Sequence, residues 1–177
     1  MDDGVTVRRL GPEEAAAAVP ALAGVLRDCV DGGASVGFMH PLTAERAAGF
    51  WRTVAGAVER NERALLVAED RDGRLLGTVQ LVLGLPENQP HRAEVAKMLV
   101  HGRARRRGVA RRLLDAVERT ALAEGRTLLV LDAVTGGDAA RLCAAAGWQR
   151  VGEVPRYALM PDGAPCATTF FYKDLAS

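Results

Sequence analysis

Apolar positions recur along the chain with two different periods, and these periods predict a strand followed by two helices in the first sixty residues. Apolar residues at every second position predict a strand that Gly11 ends. Apolar residues three and four positions apart then predict a helix up to Gly32, and the spacing returns after Thr43, a residue type that caps helices. The predicted elements are a strand over 5–10, a helix over 13–31 and a helix over 43–61.

The rest of the pattern predicts a hairpin followed by a strand-helix-strand unit. Asp70 to Gly73 separates two apolar runs, and an Asp-Gly pair supplies the positive φ that a hairpin turn needs. The unit over 93–133 places its two strands in parallel, and its second strand is apolar on both faces, as in the interior of a sheet. The predicted elements are strands over 64–69, 75–83 and 93–100, a helix over 108–124, a strand over 127–133, a helix over 138–146, a strand ending at 154 and a strand over 168–175. They form one α+β domain over 1–177, with a loop over 155–165.

Composition narrows the class of protein. The chain has 177 residues, of which 49% are hydrophobic and 25% charged, which excludes a disordered chain. Lys and Arg number 23 against 22 Asp and Glu, so no chain-wide charge favours nucleic acid or membrane. Three cysteines without paired spacing argue against a disulfide framework and a zinc site, and the scattered histidines predict no metal. With no apolar signal core or spanning run, we expect a cytoplasmic protein.

Six arginines lie within residues 103–112, between a predicted strand and a predicted helix. Taken alone, such a run is typical of a solvated face or of a nucleic-acid binding surface. Its position favours a third interpretation, because the start of a helix presents unpaired backbone N–H groups and the positive end of the helix dipole. Gly108 lets the backbone approach an anion closely, and the arginines add positive charge. The predicted ligand is a small molecule that carries a pyrophosphate.

The same segment resembles the acetyl-CoA signature of the GCN5-related N-acetyltransferase (GNAT) superfamily, which is Gln/Arg-x-x-Gly-x-Gly/Ala. Residues 105–110, Arg-Arg-Arg-Gly-Val-Ala, fit this signature, and residues 139–148 resemble the family's Ala-x-x-Leu-Tyr-x-x-x-Gly-Phe segment. The resemblance implies a mixed, mostly antiparallel sheet of six to seven strands with about four helices and with acetyl-CoA at the parallel βαβ unit. The cofactor-binding residues it implies are Met98, Leu99, Val100, Arg105, Arg106, Arg107, Gly108, Val109, Ala110 and Arg111.

A narrower resemblance, to the tabtoxin-resistance type of acetyltransferase, lies outside the signature. It depends on residues 32–39, 93–97, 151–157 and 161–163. It implies a small amine-bearing metabolite, toxin or antibiotic as the acceptor. Loop 34–40 carries large apolar residues, so we expect it to line the acceptor pocket with loop 155–165. The expected acceptor-binding residues are Ser35, Phe38, Met39, Glu94, Asp132 and Tyr157.

Acetyl transfer to an amine needs a neutral amine, whereas an alkyl amine with a pKa of about 10.4 is mostly protonated at pH 7. A base is therefore expected, and the family resemblance implies Glu94 or Asp132. Each carboxylate has a structural alternative: Glu94 in an ion pair, and Asp132 as a cap on the following loop. Cys143 stands where most relatives have a tyrosine acid. It is interpreted either as a short substitute for that acid or, preferably, as a buried core residue, which leaves Tyr157 as the other candidate acid.

Three functions follow from these observations. The first is an N-acetyltransferase that moves an acetyl group directly to a small-molecule amine. The second is a nucleic-acid binding module, which the near-zero net charge and the lack of aromatic residues among the arginines disfavour. The third is an acyl-CoA sensor with little activity, suggested by Cys143. The expected partner is the small-molecule amine, with no nucleic acid or membrane, and the chain is expected to be a monomer or a homodimer.

Overall fold

A computed structural model of the chain describes residues 3–177, which form five α-helices and one seven-stranded sheet. Within these residues no helix is long and apolar enough to span a membrane. The helices are α1 (Pro12–Ala17), α2 (Val19–Asp31), α3 (Ala44–Glu59), α4 (Val109–Ala123) and α5 (Asp138–Ala145). The strands are β1 (Thr6–Arg9), β2 (Arg63–Glu69), β3 (Leu75–Val82), β4 (Arg92–Val100), β5 (Leu128–Val134), β6 (Gln149–Leu159) and β7 (Pro165–Asp174).

The strand order is β1-β2-β3-β4-β5-β7-β6, and only β4 and β5 are parallel. This mixed, mostly antiparallel sheet with one parallel βαβ unit confirms the predicted fold class. The pairing of β4 with β5 covers residues 92–94 against 128–130 and stops at Glu94 and Val130, although both strands continue. The two strands therefore diverge toward their carboxyl ends and open a gap in the sheet there.

Helices cover the two faces of the sheet unequally. Alternate residues of β4 and β5, among them Val95 and Leu131, join Leu113 and Val117 of α4 in one buried cluster. On the opposite face, α1, α2 and α3 pack over β2 and β3 around Trp51. Neither α2 nor α3 extends far beyond β4, so the β5, β7 and β6 part of this second face is left open.

Two predicted elements differ from the structure. The first predicted helix is broken at Ala18 into α1 and α2, because Pro20 has no N–H to donate to the Ala16 carbonyl and its ring crowds that carbonyl. Residues 3–177 therefore form five α-helices where about four were predicted.

The predicted loop 155–165 is largely strand, because β6 runs through Pro155 to Leu159 and β7 begins at Pro165. β6 lies at the edge of the sheet, where the missing N–H of a proline leaves no partner unpaired. Pairing with β7 is interrupted between Val154 and Ala158 by a bulge, where Arg156 has a φ of 55°. Edge position and bulge together allow a strand through a sequence that resembles a loop.

Candidate functional site

The turn between β4 and α4 has the geometry expected of an anion-binding turn. Gly108 precedes the helix with a φ of 73°, a left-handed conformation that glycine adopts without steric cost. The first helical hydrogen bond is donated by the N–H of Arg112 to the Gly108 carbonyl. The N–H groups of Val109, Ala110 and Arg111 therefore have no partner within the helix and are available to an anion.

The arginines of the run differ in whether they have partners within the protein. Arg106 and Arg107 are exposed and form no hydrogen bond or ion pair within residues 3–177. Each of the other four has a partner: Arg103 donates to the Leu75 carbonyl at 2.7 Å, Arg105 to the Val100 carbonyl at 3.5 Å, Arg112 to the Val5 carbonyl at 3.0 Å, and Arg111 to the Asp115 carboxylate at 2.9 Å, one turn further along α4. Arg106 and Arg107 are thus two unpaired cations beside the turn.

The end of β4 is tied to helix α2. The thiol of Cys29 donates to the Val100 carbonyl at 3.4 Å, and the Asp28 carboxylate accepts from the Gly102 N–H at 2.7 Å. Leu99 and Val109 are almost completely buried, so only their backbone atoms can reach a ligand, whereas Met98 is partly exposed. These contacts fix the carboxyl end of β4, where the predicted cofactor-binding residues lie.

Glu94 and Asp132 lie on the open face of the sheet. Glu94 is paired with Val130, so both point to the face opposite to α4, and Asp132 points the same way two residues further along β5. Phe170 of β7 is paired with Asp132 and extends this surface. The structure therefore brings the two predicted carboxylates to one surface, at the carboxyl end of β5 and beside the gap.

The two carboxylates differ in their surroundings. Glu94 forms an ion pair with Arg92 at 3.0 Å, as its structural alternative anticipated. Asp132 forms no ion pair within residues 3–177. Its pKa is raised, mainly by burial and further by the Glu94 charge, while the ammonium of Lys97 opposes the rise. A carboxylate with a raised pKa is a stronger base, so this difference favours Asp132.

Lys97 is a residue that the sequence did not predict for the site. It has a φ of 51° at a bulge between β3 and β4, and its ammonium lies 5.9 Å from the centre of the Phe50 ring. A Cβ atom on Gly37 would lie 3.3 Å from that ammonium, so the lysine reaches the loop between α2 and α3. A lysine in a mostly apolar strand was the one signal available, and neither its bulge nor its neighbours follow from the sequence.

The loop between α2 and α3 is hydrogen-bonded to the β6–β7 hairpin, which places it beside the segment predicted to line the acceptor pocket with it. The Ser35 hydroxyl donates to the Leu159 carbonyl at 2.8 Å, and the His40 N–H donates to the Pro161 carbonyl at 3.0 Å. Phe38 packs edge-on against Phe50 at 5.2 Å, and Met39 is 43% exposed. The Ser35 hydroxyl thus has a structural partner, and Phe38 forms part of an aromatic wall beside Lys97.

Tyr157 lies on the same side of the sheet as Asp132. It is 53% exposed, and its ring packs edge-on against Phe170 with 5.5 Å between the ring centres. Phe170 is the direct strand partner of Asp132. The phenol is therefore exposed next to the surface that carries the candidate base.

Cys143 is completely buried in the cluster beneath α4 and α5. Burial, with a further contribution from the Glu118 charge, raises the pKa of its thiol to about 11. The side chain therefore stays a neutral thiol at pH 7 and is enclosed by apolar neighbours, which agrees with its interpretation as a core residue.

The histidines take part in local contacts. His40 lies 3.3 Å from the Asp31 carboxylate and His101 lies 3.6 Å from Asp28. Across residues 3–177, no group of three or more His, Cys, Asp or Glu side chains is arranged to hold a metal ion.

The chain is similar to acetyltransferases in both sequence and structure. The model of the acetyltransferase (GNAT) family matches residues 36–148. An uncharacterized N-acetyltransferase from Azospirillum brasilense is 36% identical over 107 residues, which are 59% of this chain and 61% of that protein. The structure of a GCN5-related N-acetyltransferase from Kribbella flavida superposes with a TM-score of 0.79 at 26% identity, covering 99% of this chain and 100% of the other. A Salmonella typhimurium acetyltransferase solved with its cofactor acetyl-CoA superposes with a TM-score of 0.77 at 17% identity, covering 97% and 94% of the two chains.

Proposed function

Because this chain belongs to the GNAT acetyltransferase family, we propose that it transfers the acetyl group of acetyl-CoA directly to a primary amine of a small molecule. The observation that carries the proposal is the position of Asp132 on the open face of the sheet, beside the gap between β4 and β5, with a raised pKa and no ion pair within residues 3–177. The resemblance to the tabtoxin-resistance type adds that the acceptor is a toxin, an antibiotic or an amino-acid-like metabolite.

The residues around Gly108 fit the pyrophosphate of acetyl-CoA. A Cβ atom on Gly108 would meet no atom within 4 Å, so the space above the turn is open to an anion. The N–H groups of Val109 to Arg111 would bind the phosphates, and Arg106 and Arg107 would add positive charge. The α4 turn and Asp132 belong to opposite faces of the sheet, and the gap between β4 and β5 connects them. An extended chain would pass through this gap to bring its thioester to the open face.

Asp132 is proposed as the base. When bound, acetyl-CoA supplies a thioester, whose carbon–sulfur bond breaks as the acetyl carbon bonds to the amine nitrogen, and CoA leaves with the electron pair as a thiolate. The Asp132 carboxylate would accept the proton that the amine must lose. Glu94, held by Arg92, would bind or orient the acceptor.

Tyr157 is proposed to donate a proton to the departing thiolate or to contact the acceptor. Its exposed ring beside Phe170, the strand partner of Asp132, supports this role. The burial of Cys143 favours its interpretation as a core residue over a role as the acid.

Replacing Cys143 with alanine is expected to leave turnover within about twofold of the unmodified protein while lowering the free energy of unfolding, because the side chain only fills core volume. Cys143→Tyr should overpack this site and destabilise the fold by more. Tyr157→Phe is the matched comparison, and a lost general acid typically costs about 10²- to 10⁴-fold in rate. Steady-state kinetics measures the turnover of each variant and thermal unfolding measures its stability, so a loss of catalysis at either position can be distinguished from a loss of stability. A folded Cys143→Ala protein that binds acetyl-CoA without turnover would make the thiol part of the chemistry.

Substitution of Phe38 by alanine is expected to change which amines are accepted and to leave the Kd for CoA within about twofold. Phe38 packs on Phe50 beside Lys97, on the open face and away from the Gly108 turn. Rates with a panel of amines, together with calorimetry for CoA, provide the measurement. An unchanged order of amine preference would show that Phe38 serves only in packing.

The proposed activity is tested by measuring free thiol released from acetyl-CoA with amino-acid, aminoglycoside and peptide-like amines. Amine-dependent thiol release, with the acetylated amine detected by mass, is the expected result. Binding of acetyl-CoA without thiol release from any amine would instead favour the acyl-CoA sensor.

A further inference from the structure

Four charged side chains surround the acceptor surface, and within residues 3–177 only Glu94 forms an ion pair, with Arg92. The Arg63 guanidinium donates to the neutral side-chain carbonyl of Gln80 at 2.5 Å. The Lys97 ammonium forms neither a hydrogen bond nor an ion pair in this part of the chain, and Asp132 forms no ion pair. Lys97 is therefore the cation without a polar partner on this surface, and Asp132 is the anion without an ion pair.

Lys97 has a strained backbone conformation and a charged group without a polar partner. A non-glycine residue with positive φ in the interior of a strand is strained, and bulges of this kind re-aim side chains next to active sites. The centre of the Phe50 ring lies 5.9 Å from the ammonium, which carries three N–H donors, and no group among residues 3–177 accepts a hydrogen bond from it. Burial, together with the positive charge of Arg63, lowers the pKa of Lys97, so its surroundings do not compensate the desolvated charge.

Lys97 and Asp132 influence each other electrostatically, yet their charged atoms are not within 4 Å of each other. Neither charged group therefore contacts the other directly, so each can bind a group of opposite charge on a molecule that carries both. An ammonium group on that molecule would pair with the Asp132 carboxylate, and an anionic group would pair with the Lys97 ammonium.

We propose that the acceptor carries a carboxylate as well as the amine that is acetylated, and that Lys97 binds this carboxylate while Asp132 binds the amine. The acceptor class is thus a small amino acid or an analogue of one. The inference rests on the proposed acetyl transfer and makes Lys97 a residue that determines acceptor specificity.

The test compares matched acceptors that differ only in the carboxylate. Free amino acids and the carboxamides of the same amino acids are assayed by thiol release with the unmodified protein, Lys97→Met and Lys97→Arg. The acids are expected to react with the higher kcat/KM. Lys97→Met should lower kcat/KM for the acids by about 10- to 100-fold, the value of a hydrogen bond to a charged group, and for the carboxamides by less than about threefold. Lys97→Arg should keep most of the preference.

The control is Lys173→Met, which removes the other lysine of the chain. Lys173 pairs with Glu118 at 2.8 Å beneath α4, away from the open face. This variant is expected to keep the ratio of kcat/KM for acid over carboxamide, even if it unfolds at a lower temperature.

Each outcome decides between distinct conclusions. If Lys97→Met lowers kcat/KM equally for acids and carboxamides, Lys97 acts only on the electrostatics of Asp132, and the carboxylate site is overturned. Equal rates for acids and carboxamides with the unmodified protein would also overturn it, while acetyl transfer itself would stand. Thiol release with none of the amines, in a protein that binds acetyl-CoA, would overturn the proposed function and this inference with it.

Discussion

Replacing Asp132 with asparagine is expected to lower kcat by about 10²- to 10⁴-fold, the usual contribution of a general base, while the Kd for CoA stays within about twofold. The amide has nearly the same shape but accepts no proton. Asp132 acts when ionised and its pKa is raised, so the rate of the unmodified protein should fall as pH decreases through a pKa above the ordinary value of 3.8. Steady-state kinetics across pH 5 to 9 and calorimetry with CoA measure both effects.

Two comparisons distinguish the role of Asp132 as a general base from a purely structural role. Glu94→Gln is expected to lower the rate less, because Glu94 is held by Arg92. Because folding raises the pKa of Asp132, its stabilising contribution is present at low pH and is lost as pH rises through that pKa. Asp132→Asn should therefore not lower the free energy of unfolding at pH 7. A parallel loss of CoA binding, turnover and stability would make Asp132 a structural residue.

Substituting Gly108 with valine is expected to weaken CoA binding by about 10- to 100-fold, as when one charge-assisted hydrogen bond is lost. The φ of 73° at Gly108 is a conformation that a β-branched residue adopts only with strain. Relief of this strain would turn the first N–H groups of α4 away from the pyrophosphate. Calorimetry with CoA on the folded variant measures the loss.

Gly125→Val is the matched control, because Gly125 has a φ of 72° at the other end of α4 and a Cβ atom there would also meet nothing within 4 Å. Both variants should lose similar stability, on the order of 1–2 kcal/mol for a left-handed residue with a branched side chain, but only Gly108→Val should lose CoA affinity. Equal CoA affinities in the two variants would contradict the assignment of the pyrophosphate to this turn.

Local patterns predicted most of the fold because they concern residues close together in sequence. Apolar spacing predicted the hairpin, the βαβ unit and α4, and the Gly108 signature predicted the glycine turn at which pyrophosphate binding is proposed. The break at Ala18 was missed because the helical spacing of apolar residues continues across it, whereas Pro20 removes a backbone hydrogen bond. The strand through Pro155 was missed because a proline disfavours a strand unless the strand lies at an edge, and edge position is a property of the whole sheet.

The sequence by itself determined the α+β fold class and a glycine turn at the start of a helix, and it supplied Glu94, Asp132 and Tyr157 as candidates. The tertiary structure alone decided how the surroundings of these residues differ. Burial and ion pairing depend on what the fold places around a side chain: Glu94 pairs with Arg92, partial burial raises the pKa of Asp132, and Cys143 is enclosed in the core. The same holds for Lys97, whose proposed role follows from a bulge and from an aromatic ring on another element. Spacing along the chain determines which elements form, whereas the charge state of a side chain is set by what folding packs around it.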